Sequence, residues 1–184
     1  MMVVEEHLVA SAEAYPSRRR DEIVGVVVHR IEVSQEDPGY GDTASEVARF
    51  FAEHPLGRTA TGGKMPYTVL VDRTGAVTQC VPLLRITPHA KSHNPTTVGV
   101  GVIGDFRTQA PPEPQRLGAL QLVAALVREL NLSAQAVHGH DELNDASHDP
   151  NKECPGRRWV MSEFRADVAA LLASETLGPL PFLW

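Results

Sequence analysis

Apolar positions along the chain fall into runs that predict strands and a hairpin. Residues 23–28 (IVGVVV) form a continuous apolar run rich in β-branched side chains, which is typical of a strand buried on both faces. Residues 98–106 (VGVGVIGDF) predict a second such strand. Between the two, YTVLV at 67–71, a turn at DRTG and AVTQCVPL at 76–83 predict a β-hairpin. The stretch just before this hairpin, GRTATGGKM at 57–65, predicts a loop.

Three further segments carry the period of a helix. Residues 42–54 (DTASEVARFFAEH) begin with a capping box, in which Glu46 follows Thr43 by three positions. A proline cluster precedes a longer helix over residues 115–131, and residues 159–174 predict the last one. The apolar stripes of the first two helices consist of Val47, Phe50 and Phe51, and of Leu117, Leu120, Val123, Leu126, Val127 and Leu130. Strands interleaved with helices indicate an α/β fold: a single domain with a mixed central β-sheet flanked by helices.

Composition and charge exclude several classes of protein. With 184 residues and 42% hydrophobic content, the chain can form a single core and is too apolar for a disordered protein. The net charge of −6 argues against nucleic acid, since the one basic run, SRRRD at 17–21, is short, balanced by acids and expected in a solvated loop. No apolar stretch approaches the roughly 20 residues that cross a bilayer. The N-terminus lacks the basic region of a signal peptide, so we expect neither a membrane span nor an export signal.

The segment HDELNDASHDPNKECPG at 140–156 is almost entirely polar, so it cannot be a core strand or an amphipathic helix. It holds Cys154 and two histidines, and three interpretations compete: a metal site, a thiol nucleophile or a solvated loop. The other cysteine, Cys80, lies in a strand-like run, where a buried inert thiol is expected. His29 alone would be a hydrogen-bonded core histidine, but imidazoles and a thiolate together are the ligands that zinc prefers.

Four stretches in fixed order carry a family resemblance: VVVHR, PYTVLVDRTG, PHAKSHNPTTVGVGVIGDF, and GHDEL followed by KECPG. In this order they resemble the zinc-dependent N-acetylmuramoyl-L-alanine amidases, a family that includes the phage lysozymes of amidase type and the peptidoglycan recognition proteins. The resemblance covers about residues 23–160 and implies an amidase/peptidoglycan-recognition-like fold. We therefore predict an N-terminal extension over residues 1–22, a zinc amidase domain over residues 23–175 and a C-terminal tail over residues 176–184.

Carried over position by position, the resemblance implies the residues of an active site. The implied zinc ligands are His29, His140 and Cys154, the implied catalytic residues are Tyr67 and Lys152, and the residues implied to bind substrate in a groove are His89 and Asn94. The loop from His140 to Cys154 is longer than in the phage enzymes. His138 and His148 therefore remain alternatives for the second ligand.

The implied chemistry agrees with these residue types. Zinc bound by two imidazoles and a thiolate lowers the pKa of its water towards about 7 and polarises an amide carbonyl. Lys152, two residues from a ligand, could stabilise the negative charge that develops on the carbonyl oxygen, and Tyr67 could orient the water or relay a proton. Two positions depart from the family pattern, since Arg30 and Thr68 stand where histidines are usual.

The resemblance implies a peptidoglycan hydrolase that cleaves the amide between the lactyl group of N-acetylmuramic acid and L-alanine. Its cofactor would be Zn²⁺ and its partner peptidoglycan. We expect a monomer that stays cytoplasmic until release and then degrades the cell wall, as an antimicrobial endolysin does. A second hypothesis is a non-catalytic peptidoglycan-binding module of the same fold. A third is a hydrolase with Cys154 as nucleophile, which the polar Cys-Pro setting disfavours because a reactive thiolate needs a paired histidine and usually a helix N-terminus.

Overall fold

The strands predicted from the apolar runs lie in one mixed sheet. The computed structural model describes residues 4–6, 12–31, 43–143 and 153–174. Six strands lie in these ranges: β1 (Val4–Glu6), β2 (Gly25–Ile31), β3 (Val69–Val71), β4 (Val77–Gln79), β5 (Thr97–Ile103) and β6 (Val137–Gly139). Their order is β1-β4-β3-β5-β2-β6. The hairpin strands β3 and β4 are antiparallel and every other neighbouring pair is parallel, so the predicted mixed sheet is confirmed.

Four α-helices flank the sheet in the same part of the chain: α1 (Ala44–Glu53), α2 (Pro55–Thr61), α3 (Glu113–Glu129) and α4 (Met161–Ala173). The predicted capping box begins α1, since the Glu46 amide donates to the Thr43 hydroxyl oxygen and the Glu46 carboxylate accepts from the Thr43 amide. None of the described helices has the length and apolarity that a bilayer crossing requires.

The two faces of the sheet carry separate apolar cores, because side chains alternate along each strand. Val26 and Val28 of β2 join the larger core, which α3 and α4 cover. Ile31 joins the smaller core with Leu70 of β3 and Phe50 of α1. His29 has the same parity along β2 as Ile31, so it lies on the face of the smaller core.

The prediction of a loop at residues 57–65 is wrong over the first half of this segment, which forms the end of α2. Pro55 suits the first position of a helix, where no backbone N–H is needed. Gly57 allows α2 to pack closely on α1, since a Cβ there would lie 2.5 Å from the Phe50 carbonyl oxygen. A tertiary contact therefore decides the conformation of a segment whose composition predicts a loop.

The N-terminal region contributes buried side chains to the fold. The Tyr15 hydroxyl is buried and accepts from the Met65 amide at 2.7 Å. Arg18, expected in a solvated loop, is buried instead, and its guanidinium donates to the carbonyl oxygens of Leu83 at 3.0 Å and Thr97 at 2.5 Å. Burial lowers the pKa of Arg18 to about 10. The predicted domain boundaries stay predictions, and the C-terminal tail lies outside the described residues.

Helix α3 approaches the β3–β4 turn closely at a pair of glycines. A Cβ at Gly118 would lie 2.3 Å from the Gly75 carbonyl oxygen. Gly75 has a φ of 85° and closes a turn in which the Asp72 carboxylate accepts from two backbone amides. The part of α3 that faces this turn is therefore small, at Gly118 and Ala119, and Leu117 of the predicted stripe is 51% exposed.

Gly118→Ala is therefore expected to destabilise the protein, although alanine in place of a helical glycine normally stabilises by about 1 kcal/mol. We expect the free energy of unfolding to fall by roughly 1–3 kcal/mol, because the backbone must shift to admit the methyl group. Chemical denaturation measures the change, with Gln121→Ala on the half-exposed side of α3 as the control. A higher free energy of unfolding for Gly118→Ala would show that α3 and the β3–β4 turn can move apart without loss of stability.

Candidate metal centre

Two histidines meet at one edge of the sheet because their strands are parallel and in register. His29 lies within β2, which extends beyond the predicted run to Ile31. Val28 pairs with Gly139 of β6, so His140, the next residue after β6, lies beside His29. The centroids of the two imidazole rings are 4.5 Å apart. His29 is 2% exposed and His140 is half-buried.

Cys154 completes a cluster of three residues. The Asp141 amide donates to the Cys154 carbonyl oxygen at 2.8 Å, which ties the cysteine to the residue after His140. Cys154 Sγ lies 3.9 Å from His29 Nδ1, and one potential ligand atom from each of the three residues lies within 4.8 Å of the other two. In a tetrahedral zinc site, a thiolate sulfur and an imidazole nitrogen lie roughly 3.6 Å apart. The three residue types are those that zinc prefers, and the distance from Cys154 Sγ to His29 Nδ1 lies within about 0.3 Å of that spacing.

The alternative second ligands do not join this cluster in the described part of the chain. His138 lies two residues before His140 along β6, roughly 6.6 Å further from the edge of the sheet. His148 lies outside the described residues. Glu142 accepts from the Gly139 amide at 2.9 Å and pairs with Arg165 at 2.7 Å, so its carboxylate ties β6 to α4.

Burial keeps the imidazole rings of His29 and His89 neutral. Burial lowers the pKa of His29 well below its usual value, and repulsion from charged His89 and His140 would lower it further. Burial likewise lowers the pKa of His89 to about 3. Because a metal ion binds only a neutral imidazole, the folded protein presents His29 near neutral pH in the form that binding requires.

Glycines in β5 provide the space for these rings. A Cβ at Gly99 would lie 2.6 Å from His89 Cγ, and a Cβ at Gly101 would lie 2.9 Å from Tyr67 Cδ2. Gly101 also lies opposite His29 in the sheet. One face of β5 therefore carries no side chains at Gly99 and Gly101, where the rings of His89 and Tyr67 pack. The alternation of glycine and valine in TVGVGVIG is the sequence signal for this space, although hydrophobicity alone predicts only a buried strand.

Of the two predicted catalytic residues, Tyr67 lies beside the cluster. It precedes β3 and is half-buried, and its ring centroid lies 5.3 Å from that of His29. The Tyr67 ring also contacts Phe51 of α1, with 6.1 Å between ring centroids. Lys152 lies outside the described residues, so its position at the site stays a prediction.

The two residues predicted to line a substrate groove both make contacts within the protein. His89 is 7% exposed, and its Nδ1 lies 3.1 Å from His29 Nε2. Asn94 is half-buried, and its side-chain oxygen accepts from the Ala90 amide at 2.6 Å, which closes the loop that carries both residues. Their contacts with substrate stay predictions. The contact between His89 and His29 is one that the sequence did not indicate.

The fold and the cluster agree with what is known of one protein family. The sequence model of the N-acetylmuramoyl-L-alanine amidases matches residues 18–157, a range that includes His29, His140 and Cys154. This chain belongs to the N-acetylmuramoyl-L-alanine amidase family. The family suggested by the order of the sequence motifs is thereby confirmed. Among curated proteins, no sequence matches at a significant level.

Solved structures share the fold of this amidase-family chain at low sequence identity. The endolysin LysCS from Clostridium intestinale URNW, an N-acetylmuramoyl-L-alanine amidase, has a TM-score of 0.68 and 17% identity over 91% of this chain and 97% of its own. The Ph2119 endolysin from the Thermus scotoductus MAT2119 bacteriophage Ph2119 has a TM-score of 0.64 and 22% identity over 90% and 98%. The complex of the peptidoglycan recognition proteins PGRP-LCa and PGRP-LCx with tracheal cytotoxin has a TM-score of 0.59 and 23% identity over 85% and 92%.

Arg30 connects the loop that carries Cys154 to the sheet. Its Nε donates to the Glu153 carbonyl oxygen at 2.8 Å, and its Nη1 lies 3.3 Å from Asp105 Oδ1. The Arg30 side chain is 9% exposed. Because Glu153 directly precedes Cys154, this contact holds the loop of Cys154 against β2. The arginine that departs from the family pattern therefore has a structural role in this chain.

Arg30→Met is expected to weaken zinc binding roughly 10-fold, because the loop of Cys154 loses the donor to its Glu153 carbonyl. Asp105 keeps a charged partner after the substitution, since it makes two contacts with Arg107, both 2.8 Å. Competition with a chromogenic chelator measures the affinity. Arg157→Met removes an exposed arginine 3.9 Å from the Glu153 carboxylate and should bind zinc like the parent. Parent-like affinity in both variants would mean that other contacts hold the loop.

Proposed function

We propose that this protein is a zinc-dependent peptidoglycan hydrolase that cleaves the amide bond between the lactyl group of N-acetylmuramic acid and L-alanine. The observation that carries the proposal is the cluster of His29, His140 and Cys154, whose potential ligand atoms lie within 4.8 Å of one another in a chain of the amidase family. A zinc ion held there supplies a Lewis acid that polarises the amide carbonyl and activates a water molecule.

The protein's side chains provide the rest of the chemistry. His29 lies in β2, His140 directly follows the adjacent strand β6, and the loop of Cys154 is hydrogen-bonded next to both, so the ligands are positioned before substrate binds. Tyr67, in contact with the His29 ring, orients the attacking water or relays its proton. Lys152 stabilises the negative charge that develops on the carbonyl oxygen.

The cell wall is the setting that the structural neighbours support. Two of them are endolysins, and their fold covers nearly the whole of this chain. We infer that the protein acts as a monomer on peptidoglycan after its release from the cytoplasm.

The thiol-nucleophile hypothesis has less support. Cys154 does not lie at the N-terminus of an α-helix, since α4 begins at Met161. The neutral His29 ring beside the thiol also contacts His140 and His89, an arrangement typical of metal ligands rather than of a cysteine–histidine pair.

A second candidate function is a module of the same fold that binds peptidoglycan without cleaving it. The observation that favours it is the similarity to the recognition proteins PGRP-LCa and PGRP-LCx, whose ectodomains were solved with tracheal cytotoxin bound. Cys154 favours the enzyme, because a module that only binds has no need of a thiolate ligand.

Cys154→Ala and His140→Gln are each expected to lose bound zinc and to slow amide cleavage by about 100-fold or more, because each removes one of three ligands. The purified protein is incubated with cell-wall fragments, and mass spectrometry of the products detects a new L-alanine N-terminus and a free lactyl carboxyl group. Elemental analysis of the same samples gives the zinc content.

Matched controls remove the other cysteine and a neighbouring histidine. Cys80→Ala and His138→Gln lie outside the cluster and should keep one zinc per chain and the parent's activity. Cleavage by Cys154→Ala at the parent's rate would contradict the ligand assignment. A zinc-loaded parent that binds cell wall without releasing these products would support the binding module.

Tyr67→Phe is expected to lower kcat roughly 100-fold while the zinc content stays unchanged, because only the hydroxyl is lost and the ring keeps its contacts with His29 and Phe51. The same digestion and elemental analysis measure both quantities. Tyr15→Phe is the control, since it removes a hydroxyl that hydrogen-bonds to the Met65 amide instead. Full activity of Tyr67→Phe would exclude its hydroxyl from proton transfer.

A further inference from the structure

The two nitrogens of the His29 ring face different partners. Nδ1 faces the cluster, 3.9 Å from Cys154 Sγ. Nε2 faces away from it and lies 3.1 Å from Nδ1 of His89, and the two rings meet edge to face with 90° between their planes. Because a neutral imidazole carries one N–H, only one nitrogen of His29 has a lone pair to offer a metal ion.

The partners of His89 decide which nitrogen of His29 that is. His89 Nε2 lies 3.2 Å from the Thr97 carbonyl oxygen and 3.3 Å from the Thr97 hydroxyl oxygen. The carbonyl can only accept, and the hydroxyl gives its own hydrogen to the His93 carbonyl oxygen at 2.7 Å. Both Thr97 oxygens therefore accept from His89 Nε2, which must carry the hydrogen. Nδ1 of the neutral His89 ring is left as an acceptor.

We propose that His89 is a positioning residue that fixes the tautomer of His29, so that His29 Nε2 donates to His89 and the lone pair of His29 Nδ1 is directed at the metal. We name the hydrogen bonds from His29 through His89 to Thr97 the histidine relay. Hydrogen bonds of this kind orient a ligand ring and raise its affinity for metal. The inference rests on the proposed function for the identity of the metal, whereas the relay itself consists only of groups of this chain.

The histidine relay ends on rigid parts of the fold. Thr97 begins β5, and the buried Arg18 side chain donates to the same Thr97 carbonyl oxygen at 2.5 Å. Gly99 leaves room for the His89 ring, since a Cβ there would lie 2.6 Å from His89 Cγ. Strand β5 therefore fixes both the final acceptor of the relay and the space for its middle ring.

Long-range ¹H–¹⁵N NMR of the metal-free protein measures the tautomers, because it distinguishes protonated from bare ring nitrogens. We expect both His29 and His89 to carry hydrogen on Nε2 and to have a bare Nδ1 at neutral pH. A hydrogen on His29 Nδ1 would overturn the proposal. The measurement requires neither zinc nor substrate, so its result is independent of the amidase activity.

Two substitutions of His89, with side chains of similar shape, distinguish the effect of its hydrogen bond to His29 from the effect of its packing. In His89→Asn, the side-chain oxygen takes the position of Nδ1 and accepts from His29, whereas His89→Leu offers no acceptor. We expect the zinc dissociation constant to rise roughly 10- to 100-fold in His89→Leu and to stay within about threefold of the parent in His89→Asn. His89→Asn should also keep the parent's His29 tautomer, and His89→Leu should show a mixture of the two.

Each other result of these zinc-binding and NMR measurements either refutes the histidine relay or separates it from the proposed function. Parent-like zinc affinity in His89→Leu would refute the histidine relay, and equal weakening in both variants would assign His89 a packing role alone. If His89→Leu fails to fold, the NMR spectrum of the parent still identifies the tautomer. A parent that binds zinc and has the expected tautomers but leaves cell wall intact would refute the proposed function and leave the relay standing.

Discussion

The candidate site depends on the parallel register between β2 and β6. Val28 lies opposite Gly139, and this pairing brings His140 beside His29 from a distant part of the sequence. A slip of one residue would turn the His29 side chain to the opposite face of the sheet, where the apolar core under α3 lies. Pairing with β5 from Gly25 to Ile31 fixes the other edge of β2, so both neighbours of the strand oppose such a slip.

The elements that the sequence predicts correctly are those with a long apolar period or a strong turn signal. Strands β2 and β5, the β3–β4 hairpin and helices α1, α3 and α4 all belong to this class. Strands β1 and β6 have three residues each, too few for a local period, and they are strands because a neighbour pairs with them. Helix α2 is similar, since its glycine and threonines favour a helix only when packed on α1.

The same distinction applies to the site. The order of the motifs indicates His29, His140 and Cys154, and the structure brings them together. The groups that support them are invisible in any local pattern, because each acts across the fold. Arg18 belongs to a basic run that predicts a solvated loop, yet its guanidinium binds carbonyl oxygens beside β5. Arg30 holds the backbone before Cys154 from the opposite end of the sequence.

The support behind His29 also affects the chemistry of a metal bound there. Burying imidazoles is costly unless their polar atoms have partners, and His29 and His89 satisfy each other with the Thr97 carbonyl as the final acceptor. A carboxylate in the place of His89 would make the ligand more basic and donate more charge to the metal. The relay instead ends on a neutral carbonyl shared with the Arg18 cation, which withdraws electron density. The proposed relay thereby orients His29 without making it strongly basic, and a zinc ion bound to it would keep more of the Lewis acidity that the proposed amide hydrolysis requires.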